Sequence, residues 1–358
     1  MSGTMKERIS KVKQVAEDIY EVKLPLKGSS LKELSSYIIK GQDRSCIIDV
    51  GFETEECTQI LLDAAEELGL CCGNTDILLT HSHRDHCGNL PNLYRRFGRI
   101  VCSVWDGMEI TWQDPKSRDE YMRNSFLKCG ISLGLLKKMP PQIDVSVPIP
   151  SQKVCTVAEQ DVLSYGKYRF RVIDLKGHMP GMIGFYDEGS GIFFPGDHVL
   201  NKITPNIGYY EEGDHSLANY IKNLEKIRDL PVSHVFPAHR GEVLSLQTRV
   251  DEILEHHRER LDEITGVLAT KPMCAFEVAG KVKWYYKEGC FKDYPLVMQW
   301  MATSEILAHL QYLWERGEVI RSGGPEETYI YRYGKYSLQG TTQGRYLTGG
   351  VPPIRFSM

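Results

Sequence analysis

The sequence predicts an α/β fold, with a large layered domain followed by a small domain of helices and a hairpin. Over residues 1–270 of the 358-residue chain, short apolar runs typical of buried strands alternate with helices that are apolar on one face. Beyond 271–272 the pattern changes to amphipathic helices followed by two short strands. A chain of this length can bury a sizeable core in the first part and still add a second.

The N-terminal region is predicted to be rich in strands. YEVKLP and LSSYIIKGQDRSCIIDVGF have the composition of strands that turn at 40–43. An amphipathic helix follows and ends at Gly69. Its apolar residues at helical spacing are Ile60, Leu61, Ala64, Ala65 and Leu68. Residues 76–80 form the next apolar strand, and its C-terminal end is where layered α/β proteins bind ligands.

Residues 106–150 differ from the regions around them. They read as helices broken by Gly130, Gly134 and two prolines, so we predict a helical insertion that is either structural or a lid over a substrate. Strands resume in the hairpins VLSYGKYRFRVIDLKGH and MIGFYDEGSGIFFPGDH. A helix capped by Ser216, a strand in VSHVFPAH and a long helix over 245–269 complete the first domain.

The C-terminal part has the order of a winged-helix domain. CAFEVAGKVKWYY and SEILAHLQYLWERG are predicted as amphipathic helices with a third short helix between them, and VIRSGGPEETYIYRY as two strands around a turn. We therefore predict a winged-helix-like domain over 271–336. Residues 337–358 are rich in Gly, Pro, Ser and Thr and are predicted to form an extended arm.

Composition excludes several classes of protein. The formal net charge of −4 is not that of a polyanion binder. The charged N-terminus lacks the apolar segment of a signal peptide, and no apolar run has membrane-spanning length, so we predict a cytoplasmic protein without a membrane partner. The ten cysteines are scattered without a CxxC pair, as expected of reduced thiols in a cytosolic protein.

The stretch HSHRDH carries a cluster of metal-binding side chains directly after a predicted strand. It brings His81, His83, Asp85 and His86 together, and imidazole nitrogens with carboxylate oxygens suit zinc, iron or manganese. These four residues are too few for two ions, so other ligands must come from distant positions. His178, Asp197 and His239 each follow another predicted strand and would meet the cluster if those strands are neighbours.

This pattern resembles the metallo-β-lactamase superfamily. HSHRDH matches its HxHxDH signature, and the remaining residues fall in the family's order over about residues 15–245. The resemblance implies an αββα sandwich with two divalent ions, zinc first among the candidates, at one edge. Position by position, it implies a first metal held by His81, His83 and His178, a second held by Asp85, His86 and His239, a bridging Asp197, and Asp49 and His198 behind the ligands.

Two such ions about 3.5–4 Å apart would lower the pKa of a shared water from about 15.7 toward about 7 and so supply a hydroxide nucleophile for hydrolysis. Asp85 and Asp197 would offset part of the metal charge. Several true β-lactamases have a cysteine at the position of Asp197, whereas an aspartate is typical of the thioesterase, lactonase and nuclease branches. GDHVLNKITPNIG and the added domain resemble a subgroup that contains both hydroxyacylglutathione-hydrolase-like proteins and an endoribonuclease.

The first functional hypothesis is a hydrolase of a small-molecule thioester or lactone. Tyr209 or Tyr210 would polarise a carbonyl or protonate a leaving group. Other residues that could line the pocket are Lys202, Thr204, Asn206 and Arg240, of which the arginine could hold a substrate carboxylate. Cys87 is predicted to pack behind the metal loop. Whether the protein forms a homo-oligomer is left open by the sequence.

The second hypothesis is a metal-dependent endoribonuclease acting on single-stranded RNA, and the third a non-catalytic winged-helix regulator. The complete ligand set argues against the regulator. Trp284, Tyr285 and Tyr286 among lysines could stack on RNA or pack at a domain interface. DNA binding is not expected, because the candidate recognition helix is predicted to expose Glu305, His309, Gln311 and Glu315, which do not attract phosphate.

Overall fold

The computed structural model describes residues 12–112, 126–138, 146–210, 215–284, 290–323 and 328–334. Parts of the predicted insertion (113–125 and 139–145), Tyr285 and Tyr286, and the predicted C-terminal arm lie outside these residues. None of the helices within them is long and apolar enough to cross a membrane. All ten cysteines of the chain are described and are free thiols.

The first sheet has seven strands in sequence order, antiparallel at its start and parallel from β4 onward. They are β1 Val12–Ala16, β2 Ile19–Leu26, β3 Lys32–Ile39, β4 Ser45–Ile48, β5 Thr75–Leu78, β6 Ile100–Ser103 and β7 Val154–Val157. The helices between them are Glu55–Glu67, Arg84–Cys87, Leu90–Leu93, Val104–Thr111 and Leu133–Leu136. Since parallel strands end at the same sheet edge, the loops after β4, β5 and β6 lie side by side.

The second sheet has five strands in the order β12-β11-β10-β9-β8. They are β8 Val162–Tyr165, β9 Tyr168–Asp174, β10 Ile183–Asp187, β11 Ile192–Phe194 and β12 His234–Val235. Only β11 and β12 run parallel, with the helix Ser216–Ile227 between them in the chain. The loops after β11 and β12 therefore leave the sheet at a common edge.

The two sheets pack face to face and are covered by helices on both outer sides. Apolar side chains of both inner faces share one core, with Ile48 and Leu78 from the first sheet and Phe170 and Phe185 from the second. The helix Glu55–Glu67 covers the outer face of the first sheet. Helices Ser216–Ile227 and Leu246–Leu268 cover the second. This confirms the predicted αββα sandwich.

The C-terminal region adds the helices Ala275–Ala279 and Leu296–Glu315 and the hairpin of β13 Val319–Gly323 with β14 Tyr329–Tyr333. Its apolar side chains belong to the same core as the outer face of the second sheet, and residues 126–136 of the insertion join that core. One direct link runs from the Phe276 amide to the Cys129 carbonyl. The helix–hairpin order agrees with the sequence, whereas the division into domains stays a prediction.

Two local predictions were wrong. The residue that caps the helix Ser216–Ile227 is His215, which has a left-handed backbone with a φ of 53°, and Ser216 is already helical. The helix predicted from 274 stops at Ala279, because Gly280 caps it and the Trp284 indole donates to the freed Ala279 carbonyl. In the described part of the stretch between the two predicted helices lies one short 3-10 helix, Phe291–Asp293, and the next helix begins at Leu296, earlier than predicted.

The prediction of an exposed polar face on the last long helix was also wrong. Glu305, His309 and Gln311 are 7%, 0% and 5% exposed, and only Glu315 of the four lies at the surface. His309 faces His257 of the neighbouring long helix, with 3.1 Å between ring nitrogens. The helix is buried on most sides, so its polar side chains point into the protein.

Candidate metal centre

The predicted ligands meet at the edge where strands of both sheets end. Asp49 follows β4, the HSHRDH stretch follows β5, His178 follows β9, Asp197 follows β11 and His239 follows β12. The parallel pairings of β4 with β5 and of β11 with β12 bring these loops together, although 158 positions separate the first and last of the predicted ligands (81 and 239). Residues remote in sequence thus form one cluster.

Three imidazoles form the first group. The ring nitrogens Nε2 of His81 and Nε2 of His178 lie 2.9 and 3.0 Å from Nδ1 of His83. His81 and His178 are buried and His83 is half-buried. The group therefore has one side toward the surface.

Two carboxylates and two imidazoles form the second group. His239 Nε2 lies 3.4 Å from Asp85 Oδ2 and 3.6 Å from Asp197 Oδ1. His86 Nε2 lies 3.5 Å from Asp197 Oδ2, and the same oxygen lies 3.8 Å from His178 Nε2 in the first group. Asp197 is therefore the residue that contacts both groups.

Each imidazole is fixed by a hydrogen bond from its outward nitrogen. His178 Nδ1 donates to the Asn206 carbonyl and His239 Nδ1 to the Glu33 carbonyl, at 2.7 and 2.8 Å. His86 Nδ1 donates to Asp49 at 2.8 Å. In each case the proton sits on Nδ1 and the lone pair of Nε2 points into the cluster. Outward nitrogens held in this way are typical of metal-binding histidines.

His81 and His83 also bond through their outward nitrogens and keep the lone pair of the inner nitrogen directed into the cluster. The Thr80 hydroxyl donates to Asp49, so it accepts from His81 Nδ1. The Tyr210 hydroxyl donates to the His178 carbonyl, so it accepts from His83 Nε2. All three nitrogens of the first group therefore present lone pairs to one another.

This donor set fits divalent cations. Two donors at about 2.1 Å from a tetrahedral ion stand about 3.4 Å apart, close to the separations in both groups. Lone pairs about 3 Å apart repel unless a cation lies among them. In addition, His86 Nε2, His239 Nε2 and Asp197 Oδ1 are buried without a hydrogen-bond partner among the described residues. A cation bound among these atoms would supply the partner that they lack.

The pKa values of the side chains differ between the group of three imidazoles and the group that contains the carboxylates. Burial and the imidazole of His83 lower the pKa of His178 to about 4, and burial lowers the pKa of His81 well below its usual value, so both rings stay neutral at pH 7. Burial alone would lower the pKa of His86, but the carboxylates of Asp197 and Asp49 raise it well above its usual value. Burial alone would raise the pKa of Asp85, but His86 and His239 hold it at about 2. The second group thus holds ionised carboxylates, whereas His178 of the first group is a neutral imidazole.

Asp49, predicted to support the cluster from behind, lies beside it and bonds to His86 and Thr80. It is 1% exposed and accepts from the Thr80 amide, the Thr80 hydroxyl and His86. Its φ of 58° turns the carboxylate from β4 toward β5. Sequence reasoning missed Asp106, which is fully buried and accepts from the amide of Ser82, between His81 and His83 of the HSHRDH stretch. No motif marks it; its only signal is the position after β6.

The structure separates the two predicted tyrosines. Tyr210 is half-buried, with its hydroxyl 3.2 Å from His83 Nε2. Tyr209 is buried, and its ring belongs to the core beneath the second sheet. Successive residues of an extended segment point to opposite sides, so only one of the pair can face the cluster.

The predicted pocket residues also have different surroundings. The Asn206 amide donates to Glu305 at 2.6 Å, and Arg240 is exposed and donates to the Ser30 carbonyl. Lys202 is exposed and Thr204 half-buried in the loop after Asp197. His198 is fully buried with its ring against Tyr220, so it supports the core and not the cluster directly. Cys87 is buried in the core of the first sheet.

Glu305, predicted to be exposed, is instead buried beside Asn206. We therefore expect the free energy of unfolding to depend on pH. Burial raises the pKa of Glu305 to about 7, partly offset by Arg260 and Asn206. A raised carboxyl pKa stabilises the fold at low pH, and that contribution is lost as pH rises through about 7. We expect Glu305→Gln to be more stable than the wild type above pH 7, by on the order of 3 kcal/mol, and the difference to vanish near pH 4. Thermal unfolding across this range, with Glu315→Gln as control, measures it; a constant difference would contradict it.

Comparisons with known proteins agree with this geometry. The family profile described as "Metallo-beta-lactamase superfamily" matches residues 34–239. "Probable metallo-hydrolase YqjP" of Bacillus subtilis (strain 168) is 24% identical over 319 residues, which cover 86% of this chain and 95% of that protein. "Hydroxyacylglutathione hydrolase GloC" of Haemophilus influenzae is 28% identical over 169 residues, which cover 47% and 68%.

A solved structure of a metallo-beta-lactamase family protein from Thermus thermophilus matches with a TM-score of 0.73 and 26% identity, over 89% of this chain and 100% of that one. The match therefore includes most of the C-terminal region as well as the sandwich. The profile covers more than half of the chain, and the clustered imidazoles and carboxylates fit its metal chemistry. The chain belongs to the metallo-beta-lactamase superfamily and is a metal-dependent hydrolase.

Proposed function

We propose that the protein is a dinuclear hydrolase that cleaves a thioester or lactone of a small molecule. The observation that carries the proposal is the position of Asp197, whose two oxygens face His86 and His178 on one side and His239 on the other. A carboxylate shared by two groups of ligands is what a pair of ions requires. We assign His81, His83 and His178 to one ion and Asp85, His86 and His239 to the other.

Two divalent ions, zinc being the best match to nitrogen and carboxylate donors, would supply an ionised water at neutral pH and positive charge for a developing oxyanion. The protein holds their ligands rigidly, because each outward imidazole nitrogen is already hydrogen-bonded. Asp85 and Asp197 would offset part of the positive charge of the ions. Their low pKa keeps both ionised at neutral pH.

Tyr210 is the side chain best placed to act on the substrate. It is half-buried, and its hydroxyl lies 3.2 Å from Nε2 of His83, which is itself half-buried and so partly accessible. Its hydroxyl hydrogen now points to the His178 carbonyl, but a hydroxyl hydrogen rotates about its C–O bond and can turn to a substrate oxygen. We propose that Tyr210, and not Tyr209, polarises the carbonyl that is attacked.

The substrate class is supported by an aspartate at 197 and by the relative that is named as a hydroxyacylglutathione hydrolase. The RNA alternative has less support. Trp284, the described member of its aromatic cluster, is half-buried, with the Arg260 guanidinium 4.4 Å from its ring centroid and its indole nitrogen bonded to Ala279. A ring held in this way contributes to packing and has one face covered.

A substrate panel tests the proposal. Acyl-glutathione, acyl-CoA and lactone substrates should be assayed beside single-stranded RNA, with the His83→Ala variant and chelator-treated protein as controls. We expect at least one ester class to be hydrolysed, both controls to be inactive and RNA to stay intact. Metal-dependent cleavage of RNA with every ester inert would replace the proposed function by the endoribonuclease.

A further inference from the structure

A five-residue segment, 206–210, contacts the first group of histidines from outside; we call it the support segment. Its Asn206 carbonyl accepts from His178 Nδ1 at 2.7 Å, and its Tyr210 hydroxyl donates to the His178 carbonyl at 2.9 Å. The same hydroxyl lies 3.2 Å from His83 Nε2. The support segment therefore fixes both the ring and the backbone of His178, and the outward nitrogen of His83.

The support segment is held in turn by the C-terminal helix Leu296–Glu315. Glu305 Oε2 accepts from the Asn206 side-chain amide at 2.6 Å, and Ser304 Oγ accepts from the Tyr209 backbone amide at 2.8 Å. The contact is close: a Cβ atom added at Gly208 would stand 3.2 Å from Ser304 Oγ. The adjacent side chains of Ser304 and Glu305 thus bind the support segment at two positions, Tyr209 and Asn206.

The Glu305 contact is costly to make. The side chain is 7% exposed, and a buried carboxyl is destabilising unless its hydrogen bonds are satisfied. An apolar residue would pack the helix against this segment without that penalty. A short hydrogen bond in a buried, low-dielectric setting fixes geometry more strictly than apolar packing does. The free-energy cost of burying this carboxyl is explained if the position of Asn206, and with it that of His178, must be fixed.

We propose that Glu305 is a positioning residue for the metal centre: through Asn206 it sets the orientation of the His178 imidazole, with Ser304 acting through Tyr209. The inference rests on the proposed role of His178 as a ligand. It gives the C-terminal helix a function in hydrolysis, because this helix fixes a ligand that the sandwich alone leaves on a loop. Residues that orient metal ligands typically contribute about 10–100-fold to metal affinity or activity.

The test is metal affinity of the full chain, measured by zinc competition with a chromophoric chelator. We expect Glu305→Ala to bind one of the two ions about tenfold more weakly and the other as in the wild type. Glu305→Gln should restore the affinity, because its carbonyl still accepts from Asn206. Ser304→Ala should weaken binding of the same ion to a smaller extent, and this variant provides the test if Glu305→Ala fails to fold.

The matched control is Gln311→Ala, a buried side chain of the same helix whose partners are Glu315 and Arg321 rather than the support segment. It should lower the unfolding temperature and leave zinc affinity unchanged. Wild-type affinity in both Glu305→Ala and Ser304→Ala, or an equal loss in Gln311→Ala or Glu305→Gln, would overturn the inference alone. A wild-type chain that binds no zinc would overturn the proposed function as well.

Discussion

Asp197→Ala should abolish hydrolysis, with a loss of at least about 10³-fold, or about 4 kcal/mol in the barrier. The carboxylate lies within 3.8 Å of ring nitrogens of His86, His178 and His239, so its removal takes a donor from both groups at once. No other described carboxylate contacts both groups. We expect the variant to retain less than one ion per chain, measured by elemental analysis beside the activity assay.

Asp187→Ala is the matched control for that variant. Asp187 is also a buried aspartate of the second sheet, but its carboxylate accepts from Arg169 and Ser190 in a turn. Its loss should lower the unfolding temperature and leave metal content unchanged. If Asp197→Ala keeps both ions and hydrolyses the substrate, the assignment of a shared carboxylate is incorrect.

Asp49→Asn should fold normally and lose about 100-fold in metal affinity or activity. Asparagine tolerates the left-handed backbone at this position, where φ is 58°, and has nearly the shape of aspartate. Its amide, however, donates where the carboxylate accepted from His86 Nδ1. The proton of His86 would then move to Nε2, and the lone pair that faces Asp197 would be lost. Zinc competition and kcat/KM measure the effect.

Asp76→Asn provides the comparison. Asp76 is fully buried in β5 and accepts hydrogen bonds from Arg44, Arg99 and Tyr165. None of these partners belongs to the histidine cluster. The substitution should destabilise the fold, since buried charged hydrogen bonds are lost, while the protein that remains folded binds zinc normally. Equal loss of affinity in both variants would show that Asp49 acts only through general stability.

The sequence predicts the cluster well because its residues have local signals. The HSHRDH stretch places four donors in six positions, and His178, Asp197 and His239 each follow an apolar strand. Strand ends are recognisable in sequence, and parallel neighbours bring those ends to one edge. The αββα layers follow from the same alternation of strands and helices.

The surroundings of the cluster are harder to predict. Helical periodicity shows that Glu305 and His309 share a face, but it does not show whether that face meets solvent or protein, because this depends on distant partners. The choice between Tyr209 and Tyr210 depends on how one extended segment is rotated. Asp106 acts through a single bond to the Ser82 amide, and a contact of this kind leaves no pattern in the sequence.

The most direct test of the centre is the metal content of the wild-type chain purified without added metal. If the five imidazoles and two carboxylates hold a pair of cations around Asp197, elemental analysis should find about two divalent ions per chain, and a chelator should remove them together with the activity. A content near zero, in protein that is folded and active, would contradict it.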